Sequence, residues 1–238
     1  MPQHTFLSAE WRKLAIANYV VDKTILQKYL PYKTELDTWN GECYASLIGF
    51  LFLKTKLRGL PIPFHQNFEE VNIRFYVRYK ENGTWKRGVT FIKEIVPKYA
   101  LTIVANTIYK EPYETMPMKH SWALDDNKLE VEYNWKKERW NSFKITANAT
   151  QLQLPENSKE EFITEHYWGY TQAGPNLCSA YEVQHPRWNM YKVLDHSIDV
   201  DFEKIYGAEF SFLETSKPAS VMLAEGSEII VKSAFKIK

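Results

Sequence analysis

Four residues at alternate positions, Glu70, Asn72, Arg74 and Tyr76, place an acid, an amide, a guanidinium and a phenol at the spacing of one strand face. Such a row could hold a carboxylate on the arginine and move a proton through the glutamate. Two placements are open. If the face looks to water, Glu70 and Arg74 are ordinary surface residues, and composition alone favours that reading. If the face lines an interior, the guanidinium must be paired, because an isolated buried charge is costly. Glu70 could supply part of that pairing. An arginine with spare donors would then hold a carboxylate or another oxyanion of a ligand.

Other chemistries find less support. The six histidines, His4, His65, His120, His166, His185 and His196, form no H-x-H, no H-E-x-x-H and no Cys-His cluster at metal spacing. The expectation is therefore no metal and no cofactor. His120 and His166 could reach an interior, although spacing does not show it. There is no G-x-S-x-G and no glycine-rich phosphate loop, so serine hydrolysis and nucleotide chemistry are unsupported. Eight tryptophans invite a stacking platform, but Trp122, Trp135, Trp140 and Trp168 lie on or near expected strands, where most such rings fill a core.

The elements that would position the row are mostly strands. Val71, Ile73, Phe75, Val77 and Tyr79 alternate strictly with the polar set, so Val71 to Lys80 reads as a strand with one face in a core. Asn82-Gly83 turns it back into Gly88 to Val96, and Asn40-Gly41 makes an earlier hairpin between Glu35–Trp39 and the apolar Glu42–Leu53. Burial on both faces is expected for that apolar strand. Asp22 caps a short helix closed by Pro31, and Ser158 with Glu161 heads another. Lys98 to Tyr109 reads as a helix with Leu101, Val104, Ala105 and Ile108 as its apolar stripe. Leu129 to Trp135 alternates and pairs with Trp140 to Thr150. A short helical piece near Phe202 to Tyr206 precedes two final strands on either side of Glu225-Gly226. Many short strands with few helices and no linker predict one antiparallel barrel or sandwich over residues 1–238.

The balance of 30 Lys and Arg against 29 Asp and Glu removes the electrostatic case for a nucleic-acid or membrane-surface partner. Met1 to Trp11 shows no secretory pattern, and the run Cys43 to Leu53 is about half of the roughly 20 residues a membrane helix needs. A cytoplasmic protein with two buried thiols, Cys43 and Cys178, is expected. A homodimer is expected only on base rates.

The order of the motifs resembles the YqjF-like proteins, a family of unknown function (domain of unknown function 2071) related to acetoacetate decarboxylase. The resemblance is carried by Trp11-Arg12, Tyr29-Leu30-Pro31, Glu70 to Arg78, Gly88 to Phe91, Ile108 to Tyr113 and Tyr181 to Trp188. It implies a mainly β, cone-shaped closed barrel with an interior pocket and outer helices. The related decarboxylases use a Schiff-base lysine activated by a neighbouring lysine, together with a pocket arginine and glutamate. By this resemblance Arg12 stands at the arginine and Glu70 at the glutamate. The tandem lysines are replaced by Tyr113 and Glu114. A phenol cannot form an imine, and Glu114 reverses the charge that would lower a nearby amine's pKa. Tyr113 could pack at the helix end, or line the pocket as a hydrogen-bond donor.

The expectation is a binder of a small anionic or carbonyl-bearing molecule, lined by Arg12, Asn72, Arg74, Tyr76 and Tyr113 with Glu70. The alternative is an enzyme acting on a keto acid without imine formation, with Glu70 as acid and base. A third reading is a protein that acts through its outer surface.

Overall fold

The computed structural model describes residues 4–238. Fifteen strands carry the fold. The first seven are β1 (Thr5–Val20), β2 (Thr34–Leu36), β3 (Tyr44–Leu57), β4 (Leu60–Pro61), β5 (Phe68–Glu81), β6 (Thr84–Val96) and β7 (Tyr113–Thr115). They are followed by β8 (Met118–Asp125), β9 (Lys128–Lys136), β10 (Trp140–Leu152), β11 (Trp168–Gly174), β12 (Leu177–Gln184), β13 (Met190–Asp199), β14 (Ser220–Lys232) and β15 (Phe235–Ile237). Four short helices accompany them: α1 (Lys23–Leu26), α2 (Tyr99–Val104), α3 (Lys159–Thr164) and α4 (Phe202–Tyr206).

The pairings run β12-β11-β6-β5-β3-β1-β14, and β14 pairs again with β12 through Val183↔Val231, so this set forms a ring. A wing of β13, β10, β9 and β8 continues from β14. The expected all-antiparallel arrangement is broken at two places. β11 and β7 both lie parallel to β6, at different heights on the flank away from β5. Each follows a helix-containing crossover (α3 and α2), the connection that parallel strands require.

Local chemistry accounts for the turns. Asn40-Gly41 and Asn82-Gly83 both take positive φ, as a two-residue turn demands, but only the second joins two paired strands: β2 pairs with β5 rather than β3, so the expected first hairpin is reduced to the single bridge Trp39↔Glu42. Asp22 accepts the amide of Thr24, and Ser158 accepts the amide of Glu161 at the head of α3. Three more expectations change. The stretch around Glu225-Gly226 is one strand rather than two: β14 runs through Gly226, where both the φ of +82 and the close approach of the Trp11 backbone require a residue without a side chain. The helix after Pro97 begins at Tyr99, and beyond Val104 it widens into a π-turn, Ala105–Tyr109, ended by Lys110 in the left-handed region. Its expected apolar stripe is not a core face, since Val104 and Ile108 are exposed.

The third change concerns β5. Its apolar row, Val71, Ile73, Phe75 and Val77, packs into a core shared with Tyr133, Trp135 and Phe143 of the wing. Gly49 on β3 permits that approach, because a Cβ there would stand 2.7 Å from the Tyr133 ring. The other row is also buried. It faces a second cluster inside the ring that includes Phe50, Phe52, Phe162 and Trp188. The strand therefore has two interiors and no solvated face until Arg78. Cys43 and Cys178 are both buried and free.

Candidate functional site

Inside the ring lies a cavity of about 330 Å³. The polar row of β5 reaches it through Glu70, Asn72 and Arg74, which are 2%, 2% and 8% exposed. Those numbers rule out the solvated-face placement. β6 brings Glu94 opposite Asn72, and β7 sets Tyr113 beside Glu94. Glu111, Thr164, His166 and Tyr181 complete the polar lining at this end.

The hydrogen bonds converge on Glu70. One carboxylate oxygen accepts from Asn72 Nδ2 at 2.9 Å, and the other accepts from the Tyr113 hydroxyl at 3.1 Å. Burial nevertheless lifts its pKa to about 7, against the pull of these two donors and of the Arg74 charge. Glu111 accepts from the Tyr181 hydroxyl and is pushed to about 8, first by burial and then by the charge of Glu70. Glu94 is held well above the ordinary carboxylate range by burial and by the neighbouring Glu111 and Glu70. Its Oε2 has no hydrogen-bond partner. Tyr113 is pushed up by burial and by the three acids, so its phenol keeps its proton and serves as a donor.

Arg74 is the cation of this end. One terminal nitrogen donates to the carbonyl of Ile163 at 3.2 Å, and Nε has no partner. Among the described residues it forms no ion pair. Its charge is therefore available to something inside the cavity. His166, beside it, is wholly buried and its pKa is lowered to about 4, chiefly by burial, which outweighs the contact with Asp37. A neutral ring that donates from Nε2 to Asp37 at 3.1 Å leaves Nδ1 as an unpartnered acceptor. Asp37 also takes Nε of Arg87 at 2.6 Å.

Two expected site residues lie elsewhere. Arg12 is on the outside, where it pairs with Glu10 at 2.8 Å and Glu225 at 3.6 Å. Alternation explains this, since its neighbour Trp11 points into the cavity. Tyr76 shares the inner face of β5 but lies beyond the cavity, with its hydroxyl 2.6 Å from Ser46 and its ring against Phe162 and His166. Of the two histidines singled out, His166 lines the cavity, whereas His120 pairs with Glu69 at 2.6 Å. Glu114 turns outward to Lys93 and Lys137. No lysine lines the cavity among the described residues, and no group of three or more His, Cys, Asp or Glu there is arranged to hold a metal ion.

The sequence analysis did not single out Glu94, Glu111 or Tyr181, all of which line the cavity. Glu111 and Tyr181 lie inside two of the family motifs, which was the available signal. Glu94 had none, because its inward direction is set by strand register.

This mainly β fold is similar to that of acetoacetate decarboxylase-like proteins. Acetoacetate decarboxylase from Legionella pneumophila superposes with a TM-score of 0.66 at 13% identity, covering 100% of this chain and 88% of that one. An acetoacetate decarboxylase-like enzyme from Sphingomonas wittichii RW1 gives 0.64 at 10% identity, covering 99% and 94%. The enduracididine biosynthesis enzyme MppR, complexed with pyruvate, gives 0.67 at 11% identity, covering 100% and 92%. At these identities the likeness is one of fold. Within that fold, the chain belongs to the family DUF2071, described as an uncharacterized conserved protein, which it matches over residues 8–228. It is 29% identical over 166 residues to the uncharacterized protein YqjF of Bacillus subtilis (strain 168). That match takes in 68% of this chain and 65% of the length of YqjF.

Proposed function

We propose that this protein binds a small molecule bearing a carboxylate and a carbonyl inside the ring, read as a closed cone-shaped barrel, without forming a Schiff base. The observation that carries the proposal is Arg74, a buried guanidinium on the cavity wall with an unpartnered Nε and, among the described residues, no carboxylate at ion-pair distance, Glu70 feeling its charge only from farther off. A buried charge left this way is costly, and a ligand carboxylate relieves that cost with charge-assisted hydrogen bonds. The Tyr113 hydroxyl donates to Glu70 at 3.1 Å and has one proton, so donating to a ligand carbonyl requires it to turn from that carboxylate, which Glu70 permits when it is itself protonated. No lysine among the described residues lines the cavity. Pyruvate, bound by a structural neighbour, is a suitable first probe.

Calorimetric titration with 2-oxo acids is expected to give saturable binding that Arg74→Ala lowers roughly 10- to 100-fold, the scale of a charged hydrogen bond. Equal affinity in that variant would remove the proposal. Borohydride treatment in the presence of the acid is expected to leave the protein mass unchanged.

A second reading, catalysis on the bound acid, is favoured by one observation. Glu70 sits near pH 7 and can exist as acid or base at neutrality. In that reading the enzyme exchanges the hydrogen beside the ligand carbonyl in deuterium oxide, and Glu70→Gln abolishes the exchange while binding persists. Binding without exchange in the wild type would leave a binder.

A further inference from the structure

The inner face of β5 changes character along its length. From Arg74 through Asn72 to Glu70 it is polar, and at Phe68 it becomes apolar. Phe68 is opposite Phe52 on β3, and Phe52 is opposite Trp11 on β1, so three neighbouring strands carry an aromatic row side by side. The Phe68 and Phe52 rings stack at 4.7 Å, and Trp11 meets Phe52 edge-on at 5.9 Å. Leu101 of α2 lies on the same cavity. The six steps from Phe68 to Arg74 span about 20 Å of extended strand. A three-carbon acid held at Arg74 would leave that aromatic arm empty. A cavity of about 330 Å³ falls in the range that encloses drug-sized ligands.

We infer that the ligand is an amphipathic acid, with its carboxylate at Arg74 and an apolar body of about ten carbons or more that reaches along the strand into the arm formed by Trp11, Phe52 and Phe68. This inference rests on the binding reading above and specifies its ligand class. The two can fail separately. The arm supplies affinity without directional bonds, in proportion to the apolar surface it removes from water. The polar end supplies orientation.

The experiment is a calorimetric series on the full-length protein with straight-chain 2-oxo acids from pyruvate upward. Each added methylene is expected to tighten binding roughly threefold to fourfold until the arm is filled. Phe68→Ala is expected to flatten that series, so that added methylenes gain little affinity. The wild-type series decides the matter even if this variant does not fold. A methyl ketone of matching length, lacking the carboxylate, is expected to bind at least roughly tenfold more weakly. Affinity that is flat or falls with chain length, while pyruvate binds, would overturn the amphipathic ligand and leave the Arg74 site standing. Failure of every acid to bind would overturn both.

Discussion

Strands β5 and β9 carry the same pattern in sequence and meet opposite surroundings in the fold. Both alternate apolar and polar residues. In β9 the row Leu129, Val131, Tyr133 and Trp135 is buried, while Glu130, Glu132 and Asn134 are only half-buried. In β5 the apolar row is equally buried, and Glu70, Asn72 and Arg74 are sealed as well. Alternation states which residues share a face; it does not state what that face looks at. β9 lies in the wing and has one neighbouring layer. β5 lies in the ring, with the wing packed on its outer face and the cavity on its inner face. A polar row that survives in such a place is maintained at a cost in stability, which is the physical reason to assign it a ligand.

The comparison can be tested by treating the two strands alike. The largest effect is expected in the row they have in common. Trp135→Ala, in the fully buried row of β9, should cost about 3–5 kcal/mol in urea denaturation, and a loss below 1 kcal/mol would contradict the packing described.

Titration comes next. Glu70 and Glu111 have folded pKa values of about 7 and 8, above the ordinary 4.5. The folded state therefore holds protons that the unfolded chain releases. This contribution to stability is complete below pH 4.5 and is lost as pH rises through 7 and 8. His166 works in the other direction. Its pKa is lowered to about 4, so its contribution is present above 6.5 and lost as pH falls toward 4. Raising pH from 5.5 to 8.5 should lower the unfolding free energy by on the order of a few kcal/mol. Glu111→Gln should flatten that slope, whereas Glu132→Gln on β9 should leave it unchanged. A wild-type profile flat between these pH values would mean the acids are not buried as described.

Smaller still is the effect of removing the charge itself. Arg74→Met replaces an unpaired buried guanidinium with an apolar chain of similar length. Stability should stay equal or rise by about 1–2 kcal/mol while acid binding is lost. The smallest change is Glu132→Ala, expected to stay within about 0.5 kcal/mol and to leave binding intact. A large loss of stability in Arg74→Met would show that the residue is structural.

What could be read in advance was local. The two Asn-Gly turns, the Asp22 and Ser158 caps and both alternating strands depend on contacts within a few residues, and the structure keeps them. Glu94 depended on register. Counting back from Asn82-Gly83, where Lys80 pairs with Trp85, would set Lys93 opposite Asn72. A bulge at Ile92 shifts β6 by one residue, so Glu94 turns inward and Lys93 turns out to Glu114. One unpaired residue thus decides whether an acid or an amine faces the cavity, and no propensity marks it. Arg12 was misplaced because the family motif names a position, whereas the inward direction belongs to Trp11.

The most direct test is a crystal structure of the protein with a long-chain 2-oxo acid bound. The account predicts the carboxylate within about 3 Å of the Arg74 guanidinium, the far end of the chain against Phe52 and Phe68, and no bond from the carbonyl carbon to any lysine. An acid joined to a lysine, or seated outside the ring with Arg74 still unpaired, would contradict it.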